Sequence, residues 1–216
     1  MKAKTPTPPV RSTYRHGNLR HALLTAGIAL AHEGGPHAVV LREATRRAGV
    51  VPNAAYRHFA SREALLAAVR AAALSRLAVA MEKQLASLGP AKDTLKFARA
   101  SLRAVGVGYL HFARTQTGLF RTAFAIRVDA PSLARASKGS TGLDPFELLG
   151  AALDRLVRAG GLPATRRPGA EYLAWSAVHG MAMLTIDGPL QQLSAQQLDR
   201  LGQQLLDMVE NGLGVA

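Results

Sequence analysis

The sequence predicts an all-α protein, with an N-terminal three-helix domain carrying a helix-turn-helix and a larger helical domain after it. Three observations predict this. Apolar residues recur at three- and four-residue spacing along most of the chain, and no stretch alternates apolar and polar residues as a half-buried strand does. Gly and Pro interrupt that periodicity at Gly34-Gly35-Pro36, Gly89-Pro90, Gly160-Gly161-Leu162-Pro163 and Gly188-Pro189, which are helix stops. Two short helical patterns lie close together on either side of Gly49. A glycine permits so tight a junction because positive φ costs it nothing.

Residues 1–13 combine Pro with Lys and Arg and are expected to form a flexible basic tail. Asn18 to Glu33 places Leu19, Leu23, Ala26 and Leu30 on one helical face, with Asn18 as the expected N-cap. A short helix over Leu41 to Ala48 follows, then a second over Pro52 to Phe59. The second presents Asn53, Tyr56, Arg57 and His58 outward, all able to hydrogen-bond to bases or phosphates, as the second helix of a helix-turn-helix does in a major groove. Ser61 is a good N-cap for a long helix to about Leu85, with Glu63 in its first turn. Beyond Gly89-Pro90, Leu95, Leu102, Val105, Tyr109 and Phe112 mark the next helix, and Leu119 to Ile126 a shorter one. Residues 129–143 are a loop by composition. Helices are then expected over Phe146 to Ala159, over Glu171 to Ile186 with two apolar faces, and through Leu198, Leu201, Leu205 and Val209. The expected division is a tail (1–13), a helix-turn-helix domain (14–60), a connecting helix (61–88) and a second helical domain (89–216).

The charge distribution follows this division. The net charge is +13 over 216 residues. Residues 1–87 hold 13 Lys and Arg against 4 Asp and Glu, an excess of nine, while residues 88–216 have an excess of four. A basic field beside the helix-turn-helix attracts phosphate backbones. The absence of cysteine excludes disulfides and thiolate chemistry. There is no nucleophile elbow, phosphate-binding glycine loop or His-x-x-x-His pattern. No enzymatic activity, metal or cofactor is therefore expected. The start of the chain lacks the apolar stretch of a signal peptide, and no membrane association is expected, which suits the cytoplasm.

The ordered set Tyr14-Arg15-His16-Gly17-Asn18-Leu19-Arg20, Leu41-Arg42-Glu43, Arg46-Arg47-Ala48-Gly49-Val50, Tyr56-Arg57-His58-Phe59 and Ser61-Arg62-Glu63-Ala64-Leu65-Leu66 resembles the DNA-binding domain of TetR-family transcriptional regulators. Trp175-Ser176-Ala177-Val178-His179-Gly180 resembles the Trp-x-x-x-His-Gly signature of one C-terminal ligand-binding domain of that family, and Tyr109-Leu110-His111-Phe112-Ala113 is similar to its upstream aromatic segment. The resemblance implies base contacts from Arg42, Pro52, Asn53, Ala54 and Arg57, and phosphate contacts from Tyr56, His58 and Arg62. It departs at Val40 and Val51, where the family usually carries Ser or Thr. Valine cannot cap a helix, and a lost cap costs about 1 kcal/mol.

Tyr109, Phe112, Phe120, Phe124, Trp175, His179 and Met183 are the candidate pocket residues. They line an apolar ligand site in which His179 is the polar handle, or they are a packed core with one satisfied histidine. The function expected is a ligand-responsive transcriptional repressor. It would act as a homodimer on an inverted repeat in double-stranded DNA and be released by a small hydrophobic effector. The alternatives are a small-molecule-binding protein or enzyme with an ancillary nucleic-acid module, and an architectural DNA-binding protein without a ligand. The helices over Phe146–Ala159 and Glu171–Ile186 are expected to pair with their symmetry mates as a four-helix interface.

Overall fold

The computed structural model describes residues 16–125 and 134–213. The tail 1–13, Tyr14, Arg15, Ile126 and the first part of the loop expected at 129–143 lie outside the described residues, and the side chains of His16, Gly17, Asn18 and Pro52 are likewise outside the description. Among the described residues every regular element is a helix. Besides three short 3-10 turns, the described α-helices in chain order are α1 (His16–Ala38), α2 (Leu41–Arg47), α3 (Pro52–Ala55), α4 (Arg62–Ala86), α5 (Leu95–Thr115), α6 (Thr117–Phe124), α7 (Pro145–Arg158), α8 (Ala170–Asp187) and α9 (Ala195–Leu213).

Most boundaries follow the local chemistry. Helix α1 is kinked where Gly35 takes φ 69°, a conformation glycine adopts without penalty. It is already formed at His16, so Asn18 lies inside it instead of capping it. Ser61 caps α4 by accepting the Ala64 N–H at 3.2 Å. Asp144 and Glu147 make a reciprocal capping box at the start of α7. The expected second helix of the helix-turn-helix is shorter than its apolar pattern suggested. Only residues 52–55 are helical, and 56–58 form a turn closed by the His58 and Phe59 N–H groups, both donating to the Ala55 carbonyl at 2.9 Å.

Helix α4 joins the two halves. It packs on α1 at one end and on α5, α6 and α7 along its length. By length and composition it is apolar enough to cross a membrane, yet 56% of its most apolar window is buried inside the fold. Its crossing with α5 is close: a Cβ on Gly108 would stand 2.6 Å from Met81 Cα. Helix α5 is the axis of the second half, touching α4, α6, α7, α8 and α9.

The loop before α7 is held down on α4. Glu82 accepts the Ser140 and Thr141 N–H groups at 2.8 Å each, and Ser75 Oγ donates to the Lys138 carbonyl at 2.8 Å. The apolar side of α7 (Leu148, Leu149, Ala152, Leu153 and Leu156) is consumed inside this core. Helix α8 differs. Leu173 is 66% exposed, and Gly180 and Leu184 also face outward.

Candidate nucleic-acid interface and ligand cavity

The first site is built by α2, α3 and the turn after it. Helix α2 ends in a glycine cap. Val50 N–H donates to the Thr45 carbonyl at 3.1 Å and Gly49 N–H to the Arg46 carbonyl at 3.2 Å, with Gly49 at φ 67°. This double bond pattern closes a helix C-terminus and redirects the chain. Thr45 is buried, and its hydroxyl is satisfied by the Arg42 carbonyl at 2.6 Å. Ala55 and Phe59 are buried beneath the segment. Asn53, Tyr56 and Arg57 are exposed above it, with Ala54 and His58 half-buried.

The basic residues here divide into two groups. Arg47 clamps α2 to α1 through Glu33, at 2.6 and 2.7 Å, and also reaches Glu43. Arg46 pairs with Glu43 at 2.7 Å, and the two guanidinium groups hold the Glu43 carboxyl down to about 2. These two arginines are structural. Arg42 and Arg57 are exposed and make no ion pair among the described residues. Arg62 departs from its expected phosphate role. Its guanidinium donates at 2.9 Å to the Val39 carbonyl and at 2.9 Å to the Pro36 carbonyl, fastening α4 to the α1–α2 junction. Val40 and Val51 occupy the N-cap positions of α2 and α3 and, as expected of valine, make no side-chain cap bond.

The second site is a cavity of about 680 Å³ between α4, α5, α7, α8 and α9. Of the expected lining residues, Tyr109, Phe124 and Trp175 face it. Four expectations are corrected: Phe112, Phe120, His179 and Met183 do not line it. Phe112 and Phe120 are buried in the core, and Phe120 packs behind Tyr109 at 5.4 Å and Phe124 at 4.9 Å. Met183 lies on the exposed side of α8. Residues not anticipated complete the walls, among them Leu74 and Met81 of α4, Phe146 of α7, and Leu206 and Val209 of α9. Their apolar periodicity was visible, but which of two neighbouring faces meets a void depends on the angle at which helices cross.

Trp175, Tyr109 and His179 form a closed polar node. Trp175 Nε1–H donates to Tyr109 Oη at 3.1 Å, and Tyr109 Oη lies 2.8 Å from His179 Nδ1. The phenol has one proton to give. With Trp175 donating to its oxygen, Tyr109 Oη shares its remaining hydrogen bond with His179 Nδ1. Burial pushes the Tyr109 phenol well above its ordinary range, so it stays protonated. His179 thus holds Tyr109 through Nδ1 and does not line the cavity. Tyr109→Phe should leave two partly buried groups unpaired and cost about 1–3 kcal/mol. Denaturant midpoints measure this, and a changed Trp175 emission localises it, since the chain has a single tryptophan.

Burial also holds the His179 imidazole below its ordinary value of 6.5. As acid is added, the unfolded chain takes up this proton before the folded one does. The stabilisation is complete above 6.5 and is lost as pH falls towards the lower folded-state value. His179→Gln should remove this component, seen as a shallower loss of stability as pH falls below about 6.5.

Helix α6 stands between the two sites. Its Phe124 lines the cavity, and Arg70, another lining residue, donates from Nε to the Ala123 carbonyl of α6 at 3.0 Å. At the other end, Gly118 is pressed against the backbone of α1. A Cβ there would stand 2.5 Å from the His32 carbonyl oxygen and would overlap that of Ala31. Arg121 of α6 is ion-paired with Asp187 at the end of α8. Among the described residues there is no cluster of three or more His, Cys, Asp or Glu able to hold a metal ion.

The family model for tetR-family bacterial regulatory proteins matches residues 23–69. The model for the tetracyclin repressor-like C-terminal domain matches residues 102–209. The chain is similar to the solved structure of a protein with unknown function from Rhodococcus sp. RHA1, with 24% identity, a TM-score of 0.72, and 94% of this chain and 98% of that one covered. It is also similar to the transcriptional regulator FadR from Bacillus subtilis, solved in complex with stearoyl-CoA, with 17% identity, a TM-score of 0.62 and coverage of 89% and 98%. The TetR-family regulator PfmR from Thermus thermophilus matches with 21% identity, a TM-score of 0.57 and coverage of 96% and 100%. At these identities the structural likenesses establish the fold. No curated protein matches the chain significantly. With the two family models falling on its two halves, one on the reading helices and one around the cavity, the chain belongs to the TetR family of bacterial transcriptional regulators.

Proposed function

We propose that this regulator is a ligand-responsive repressor that binds an inverted repeat as a homodimer and is released by a small hydrophobic effector. The observation that carries the reading is the continuity from cavity to reading surface through α6, which touches the cavity at Phe124 and Arg70 and the reading domain at Gly118. An effector shifts the protein only by binding one of its two states more tightly. An occupant that moves Phe124 or Arg70 moves α6, and α6 cannot move without disturbing its backbone contact with α1. The relative FadR, solved with stearoyl-CoA, supports an effector with an apolar part. So does the cavity, which is within the usual range for ligand sites.

Base reading is assigned to Arg42, Pro52, Asn53, Ala54 and Arg57, and phosphate contact to Tyr56 and His58. Exposure supports Arg42, Asn53, Tyr56 and Arg57 most directly. Arg62 takes a positioning role through Pro36 and Val39. Arginine suits guanine O6 and N7, and asparagine suits adenine. Alanine at Arg42, Asn53 or Arg57 should cost about 1–3 kcal/mol at one operator position, while Tyr56→Phe should weaken all sequences alike. Binding to a selected operator and its single-base variants checks this; unchanged discrimination in all three alanine variants would refute the assignment. The switch is tested by screening apolar compounds for Trp175 quenching, then measuring operator affinity with each hit. Hits that fill the cavity and leave operator affinity unchanged would refute it.

A further inference from the structure

We propose that Val51 reads a thymine methyl group, selecting T over C at one position of each operator half-site. The inference rests on the reading of α3 and its following turn as the DNA-recognition segment. Val51 directly precedes α3, with extended backbone (φ −72°, ψ 141°) and no side-chain cap bond. It is 68% exposed, more than any other large apolar residue among those described. The exposure is not that of a loose segment. Ala55 and Phe59 are buried beneath it, and the Ala54 N–H donates to the Val51 carbonyl at 3.0 Å. Val51 thus stands fixed on the outward side, in company with Asn53, Tyr56 and Arg57.

The chemistry of the groove then narrows its partner. Base edges in the major groove present hydrogen-bond donors and acceptors, with one apolar exception, the C5-methyl of thymine. A serine or threonine before α3 would turn its hydroxyl to the helix N–H groups. Valine has no hydroxyl, and its two methyl groups gain only by leaving water for another apolar surface. Against thymine both surfaces are covered. Cytosine carries only a hydrogen at C5, so against it the valine methyls lose that apolar partner. Asn53 and Arg57, exposed on the same segment, read by hydrogen bonds, so Val51 adds a kind of discrimination they do not provide.

The test is a cycle between protein and DNA. An operator is first selected from a randomised duplex pool with the full-length protein. Each half-site thymine is then replaced in turn by uracil, which removes the methyl and keeps the base pair. Losing contact with one methyl should weaken wild-type binding about fourfold at one position. The same change should have little effect on Val51→Ser or Val51→Ala, and 5-methylcytosine at that position should bind wild type better than cytosine does. Equal uracil effects in wild type and both variants, or none at any thymine, would overturn the role of Val51 while leaving DNA reading intact. A pool that yields no motif would overturn the DNA reading and this inference together. Since Val51 is exposed, Val51→Ala should leave the melting temperature unchanged, while Val51→Ser should keep or raise it by supplying the missing cap of α3.

Discussion

Gly118→Ala should destabilise the protein, although alanine is the better helix former. In an unobstructed helix, replacing glycine by alanine gains about 0.5–1 kcal/mol. Position 118 is obstructed by backbone: the added Cβ would meet the carbonyl oxygens of Ala31 and His32 in α1. A backbone carbonyl cannot swing aside as the end of a side chain can. Overpacking of this kind costs about 1–3 kcal/mol, so the clash outweighs the propensity gain and the sign reverses. Gly150→Ala in α7 is the control, because its nearest neighbour would be Arg167 at an ordinary 3.7 Å. It should be neutral or stabilising by up to about 1 kcal/mol. The same Gly118 variant should change the response to effector, since the extra methyl wedges α6 away from α1 before any ligand enters. Denaturant melts measure the first effect, and operator affinity with and without a cavity-binding compound measures the second. A Gly118→Ala protein as stable as wild type and equally responsive would show that α6 does not transmit through this contact.

The structure also indicates which parts of the fold were legible as residues. Helix limits were, because Gly and Pro act locally: Gly35, Gly49, Gly89 and Gly160 all take positive φ at turns or kinks. The length of α3 was not. The apolar positions Ala55 and Phe59 fit a continued helix, and only the hydrogen bonds converging on Ala55 reveal a turn there. The cavity was half legible. Tyr109 and Phe112 share an apolar stripe on α5, yet one faces the void and the other the core. The role of Arg62 was hidden for a similar reason. Its partners, the carbonyls of Pro36 and Val39, are more than twenty residues away and carry no side-chain signature. His179 was recognised as the polar member of its face, but its closed bond to Tyr109 depends on how α5 and α8 are juxtaposed.

Leu173→Glu combined with Leu184→Glu should convert the protein to a monomer and abolish high-affinity operator binding. Both leucines are exposed on the outward side of α8, on either side of Gly180, whose surroundings are open. Met208 of α9, the helix packed beside α8, is 60% exposed. With the apolar side of α7 buried within the protomer, we propose α8 with α9 as the pairing surface in place of the α7 with α8 expected from sequence. In a two-fold interface each residue acts twice. Burying a leucine is worth about 1.5–3 kcal/mol, so four leucines contribute on the order of 6–12 kcal/mol. Losing that much would raise a nanomolar dissociation constant to about tens of micromolar or beyond. Each protomer should still fold, because neither leucine belongs to its core, and circular dichroism should be unchanged. One reading surface then meets one half-site, and the gain from engaging both at a fixed spacing is lost. Light scattering gives the oligomeric state and a salt-matched binding assay gives the affinity. A double variant that remains dimeric and binds the operator as wild type does would exclude this face of α8 as the interface.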